Sequence, residues 1–163
     1  MVPCDGGMLD PETGLCWQVP RAEEKMVWLD AIDYCDSLEL AGFDDWYLAD
    51  IEELSTLIRG CANTEPGGVC EAHVDIPSSE WCEDEQKYVC DTGEGPGVNG
   101  CYWDEAMGEC PLQEFNNDFV ASSECIGISG DPIGHSVRFF DAIPGANGNP
   151  NFVMCVRRTS GSD

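Results

Sequence analysis

Positive charge is what this sequence has least of. Lysine occurs only at 25 and 87, and seven Lys and Arg stand against 32 Asp and Glu, a net charge of −25 at pH 7. Nucleic acids, anionic lipid and sulfated polysaccharide are bound by Lys and Arg that neutralise phosphate or sulfate, so a nucleic-acid partner is excluded. No apolar run approaches the roughly 20 residues that span a bilayer, and no membrane insertion is expected. Met1-Val2-Pro3 lacks the charged and apolar regions of a signal peptide, so the segment reads as a mature one without its leader. Catalytic signatures are also missing. His73 and His135 are the only histidines, neither lies in a His-Glu-x-x-His motif, and there is no Gly-x-Ser-x-Gly elbow or phosphate-cradling glycine loop. With so many acids, any two could pass for a glycosidase pair, which makes such a pairing uninformative. The chain is therefore expected to be no enzyme, with no catalytic residues and no required cofactor.

Metal motifs are equally sparse. The eleven cysteines, at 4, 16, 35, 61, 70, 82, 90, 101, 110, 125 and 155, include no Cys-x-x-Cys, the spacing used by zinc ribbons and thioredoxin-type sites. They read instead as a disulfide framework in an oxidising compartment: secreted, periplasmic or cell-surface. No EF-hand loop occurs. Calcium remains the cation that acidic loops would suit, with the metal ligands unassigned.

What is present is enough for one compact domain over residues 1–163, since a chain of this length buries roughly 70% of its unfolded surface. Trp28, Ala31, Ile32, Cys35 and Leu38 recur at helical spacing and leave Asp30, Asp33, Asp36 and Glu39 on the other face. After a turn through Gly42-x-Asp-Asp-Trp46, Asp50 stands at an N-cap with Glu53 as its capping-box partner. Ile51, Leu54, Leu57 and Ile58 give this second, shorter helix a buried face, and Arg59-Gly60 supplies the stop.

Asp10–Gln18, the set Trp28…Ala31-Ile-x-Tyr-Cys35-x-x-Leu38, Gly42-x-Asp-Asp-Trp46-x-Leu48…Ile51-Glu-Glu-Leu54, and Val153-x-Cys-Val-Arg157 carry a family likeness. The chain resembles the collagen-like-adhesin C-terminal (Lcl C-terminal) domain family of bacterial surface proteins. That resemblance implies an α+β, C-type-lectin-like fold, with two helices packed on small antiparallel sheets. It also implies a bridge from Cys35 on the first helix to Cys155 in the last strand. The family's core strand is echoed by Phe119–Ser123, residues 61–118 match poorly, and the basic residue and proline usual after Asp-Trp are here Tyr47 and Ala49. Family members are associated with sulfated glycosaminoglycans, a ligand that this charge balance opposes. Lectins of similar fold bind sugar-bridging calcium through Glu-Pro-Asn and Trp-Asn-Asp, of which only Glu65-Pro66-Gly67 and Phe115–Asp118 are reminiscent. Formylglycine-generating oxidases share the fold but use two late cysteines, where Cys155 stands alone.

The other cysteines can be paired by proximity. Cys4 and Cys16 flank the turn sequence Asp10–Gly14, and Cys61–Cys70, Cys82–Cys90 and Cys101–Cys110 would each staple a small loop, leaving Cys125 over. The segment 61–118 gathers Gly, Pro and Cys without sustained periodicity and reads as a long-loop insertion held by disulfides instead of a core, with Trp81 and Trp103 either as its plugs or as exposed rings that stack on a sugar or partner. Ser136–Asp141 and Phe152–Arg157 are β-rich and are expected to pair as antiparallel neighbours across an irregular Ala142–Asn151.

The resemblance puts the ligand face in this last half. Ligand contacts are assigned to Phe115, Asn116, Asn117, Asp118, Arg138, Phe140, Asn147, Asn149 and Asn151, all expected to be more exposed than Trp28, Leu38, Trp46, Leu54, Phe152 and Val156. Asparagine and glycine are also simply good turn formers. The function expected is a secreted or cell-surface module recognising a glycan or protein on a cell surface through loops of residues 115–151. One version is a retroelement-diversified variable protein, a class hosted by the resembled superfamily. The alternative is a structural surface or matrix protein, cross-linked by calcium or through Cys125. The oligomeric state is left open.

Overall fold

The computed structural model describes residues 1–82, 90–111, 117–127 and 129–159. Two small antiparallel sheets and two helices make an α+β fold. The first sheet has five strands in the order β1-β2-β3-β8-β4: β1 Val2–Cys4, β2 Gly7–Asp10, β3 Leu15–Gln18, β4 Tyr47–Leu48 and β8 Cys155–Arg158. The turn between β2 and β3 is set by Asp10, whose carboxylate accepts the Glu12 amide at 3.0 Å, and by Gly14 at φ 73°. Strand β8 returns between β3 and β4, placing Val156 opposite both Trp17 and Tyr47.

Helix α1 spans Trp28–Asp36 and α2 spans Ile51–Ser55. Ala31 and Cys35 are the buried positions of α1, and Trp28, Ile32 and Leu38 pack partly buried beside them. The capping box of α2 is formed: the Asp50 carboxylate accepts the Glu53 amide at 2.7 Å and the Glu53 carboxylate accepts the Asp50 amide at 3.3 Å. Past the helix, Leu57 and Ile58 stay buried, and Gly60 takes the positive φ that ends the turn.

The second sheet has the order β5-β6-β7, with β5 Phe119–Ile126, β6 Pro132–Arg138 and β7 Ile143–Asn147. Its two faces are packed differently. Val120 belongs to the core under α1, while Phe119, Ala121 and Val137 belong to the larger core with α2 and Trp103. Gly134 makes the α1 side possible, since a Cβ there would lie 2.4 Å from Trp28 Cδ1.

Several expectations are corrected. Ser136–Arg138 and the last strand are not neighbours: β6 pairs with β5 and β7, and β8 lies in the other sheet. The chain between them is not irregular throughout. Ile143–Asn147 forms β7 because it is an edge strand, where Pro144 can pair with Val137 without needing an outward N–H. Nor is the 61–118 insertion held by disulfides alone. Ala72, Trp81, Tyr102, Trp103 and Met107 are continuous with the main core, where Trp103 packs on Phe119 at 5.4 Å and Phe139 at 4.8 Å.

The disulfides are Cys4–Cys16, Cys35–Cys155, Cys101–Cys110, Cys61–Cys90 and Cys70–Cys82. The last two replace the expected Cys61–Cys70 and Cys82–Cys90. The backbone folds from Cys61 to Cys70 as a turn run, with the Cys70 amide on the Asn63 carbonyl at 2.8 Å, and this run nests the smaller loop inside the larger. Which Cβ vectors converge is a tertiary property that sequence proximity does not report.

Candidate functional site

Most of the described residues assigned to the ligand face are engaged within the chain, in two clusters. Phe115 and Asn116 lie outside the described residues. Asn117 and Asn151, expected to be exposed, are 8% and 1% exposed, and so as buried as Phe152 at 9%. Asn117 Oδ1 accepts Lys25 Nζ at 2.8 Å, with that ammonium 4.6 Å above the Phe152 ring. Asp118 Oδ2 accepts from Ser136 Oγ at 3.1 Å and Asn147 Nδ2 at 3.3 Å, and the same amide donates to Asn151 Oδ1 at 3.1 Å. Asn151 also exchanges both backbone hydrogen bonds with Met26. The asparagines lock the chain entering β8 against β5 and β7, because buried amides must be satisfied in place. Asn149 remains exposed. Arg138 forks onto Asp141 with Nε and Nη2 both at 2.8 Å, which raises its pKa further, and Phe140 falls in the turn beyond β6 and packs against the main core.

Asp118 Oδ2 is thus engaged by two donors of the chain itself. Among the described residues no three His, Cys, Asp or Glu side chains converge as a metal site.

The six described basic side chains are all engaged within the chain. Arg59 pairs with Asp10, Arg138 with Asp141 and Arg158 with Glu53, while Arg21 and Lys25 lie over Phe152 and Arg157 lies 3.6 Å above Phe43. Where the resembled pattern has a base after Asp-Trp, the Tyr47 hydroxyl donates to Glu53 at 2.9 Å, and burial with that carboxylate pushes its pKa up to about 12.

An open space lies elsewhere, at the far end of the second sheet. A groove of about 1060 Å³ runs between the loop of residues 74–79 and the sheet. The register explains its floor: Cys125 lies opposite Ile133 and His135 opposite Ala146, and Ile133, His135 and Val137 share one face of β6. Val137 is covered by the core and Trp81 covers His135, its ring 4.8 Å away. Beyond Trp81 the cover stops. The Trp81 indole donates to the His73 and Ile76 carbonyls and so fixes the loop that forms the opposite wall. Val74, Ile76 and Ile126 remain exposed there, Ile126 at 66%.

His135 is 2% exposed, and neither ring nitrogen meets a partner at hydrogen-bonding geometry. Burial pushes its pKa below the ordinary histidine value, opposed in part by the Ser123 backbone. Cys125 is the one free cysteine, and burial with neighbouring Glu124 raises its thiol pKa. The imidazole and thiol share a floor without forming a nucleophilic pair: an activated cysteine has a depressed pKa and a hydrogen-bonded base. Of this groove the sequence reading assigned only Asn147. The apolar alternation Ile133, His135, Val137 was its available signal, and the wall at 74–79 had none.

Residues 6–157 match the Lcl C-terminal domain family. The chain belongs to that family. No curated protein and no solved structure matches it significantly. Membership in the Lcl C-terminal domain family and five disulfides assign the protein to the cell surface or to secretion. No described helix is long and apolar enough to cross a membrane.

Proposed function

We propose that this domain is an extracytoplasmic binding module, without catalytic activity, whose ligand seats in the groove between loop 74–79 and the β5-β6-β7 sheet. The observation that carries the reading is an apolar sheet face that Trp81 covers at His135 and leaves open at Ile133 and Cys125. Open apolar surface of this kind marks interaction sites. A C-type-lectin-like architecture is part of the proposal, supported by the N-terminal strands and the last strand sharing one sheet, with β8 beside β3, and by the Cys35–Cys155 bridge from α1 to β8. The ligand is a glycan or a protein. The engagement of the described bases favours neutral or cationic ligands over sulfated ones.

The test is a glycan and surface-protein array probed with the disulfide-intact domain, with and without calcium, beside Ala146→Trp, which fills the groove from an exposed position. Binding lost in the variant at unchanged melting temperature is the expected result. Binding retained by Ala146→Trp would place the ligand face elsewhere.

A further inference from the structure

The lining of the groove also specifies the chemistry of what it takes, on the assumption that it is the ligand site. Its floor and walls are apolar at Val74, Ile76, Pro77, Ile126, Ile133 and Ala146. Among the described residues its charged groups are Asp75 and Glu124, and no Lys or Arg lines it. Ser79 adds a hydroxyl that hydrogen-bonds amides. From Cys125 across β6 to Ala146 the floor crosses three strands, about 10 Å at ordinary strand spacing, the length of roughly three extended residues. At about 1060 Å³ the space stands at the upper end of small-molecule pockets.

We infer that the groove takes a short extended stretch of polypeptide in which aliphatic side chains flank a lysine or arginine. The aliphatic groups cover Ile133, Ile126 and Ile76, and the basic group lies at the rim, near exposed Asp75 and Glu124. The charge preference follows from complementarity: a carboxylate in the ligand would meet two carboxylates and none of the described bases.

Titration calorimetry of the disulfide-intact chain with three capped tripeptides tests this. Acetyl-Leu-Lys-Leu-amide is expected to bind. Acetyl-Leu-Glu-Leu-amide and acetyl-Gly-Lys-Gly-amide are expected to be weaker by about tenfold or more, since each loses one of the two contributions. Asp75→Asn and Glu124→Gln, both at exposed positions, should each weaken the first peptide by roughly threefold to tenfold. Ala146→Trp should abolish its binding. Equal binding of the leucine and glycine peptides with lysine, or binding that survives Ala146→Trp, would mean general attraction to an acidic surface and overturn the inference. No binding of acetyl-Leu-Lys-Leu-amide would overturn it as well. If Ala146→Trp then still deletes binding of an array ligand, only the ligand class is wrong; if array binding survives that variant, the groove itself is wrong.

Discussion

Replacing Gly134 by alanine tests how closely α1 lies on the second sheet. The added Cβ would stand 2.4 Å from Trp28 Cδ1, 2.8 Å from Val120 Cγ2 and 2.9 Å from the Ala121 carbonyl oxygen. One neighbour is backbone, and the nearest is an indole held by its hydrogen bond to the Ser122 carbonyl at 3.2 Å. Overpacking of this kind costs about 1–3 kcal/mol, and loss of the indole hydrogen bond adds roughly 0.5–1.5 kcal/mol. Against this, alanine reduces unfolded-state entropy by about 0.5–1 kcal/mol relative to glycine. The net expectation is a loss of about 1–3 kcal/mol. Denaturant unfolding with disulfides intact measures it, and the Trp28→Ala background isolates its cause. Without the indole the 2.4 Å contact is gone and only the two longer ones remain, so the alanine penalty should fall by about half or more. A Gly134→Ala chain as stable as the wild type, or a penalty unchanged by Trp28→Ala, would refute the packing argument.

Three other outcomes are expected. Asn151→Ala should cost about 1–3 kcal/mol because it removes a buried amide that accepts from Asn147 Nδ2 at 3.1 Å, whereas exposed Asn149→Ala should change melting little; the reverse order in thermal melts would refute the lock. His135 has its pKa lowered from 6.5 in the folded state, so the unfolded chain takes up a proton that the fold resists. Relative to His135→Gln, wild-type stability should hold above about pH 6.5 and decline as pH falls, and a flat or opposite difference between pH 5 and 7.5, read by denaturant melts, would contradict it. Non-reducing peptide mapping should recover Cys61 linked to Cys90 and Cys70 linked to Cys82; a Cys61–Cys70 peptide would show the nested arrangement to be wrong.

The sequence by itself determined what is local or patterned along the chain. The α1 stripe at Ala31 and Cys35, the Asp50–Glu53 capping box, the Asp10–Gly14 turn and the Cys4–Cys16 bridge depend on residues near one another or on a fixed periodicity. Charge was legible too, because composition alone predicts a surface poor in free cations. Tertiary structure decided which sheet each strand joins, since β-rich runs such as Ser136–Arg138 and Cys155–Arg158 carry no label for their partner. It decided the nesting of Cys61–Cys90 around Cys70–Cys82, which depends on where the Cβ vectors point. It also turned Asn117 and Asn151 from expected surface contacts into buried locks. An asparagine satisfies a turn, a ligand or a buried backbone equally well, and only its neighbours in space select among these. The groove arose the same way: Cys125, Ile133 and His135 share a face because of strand register, and that face is open because Trp81, far away in sequence, covers only one end of it.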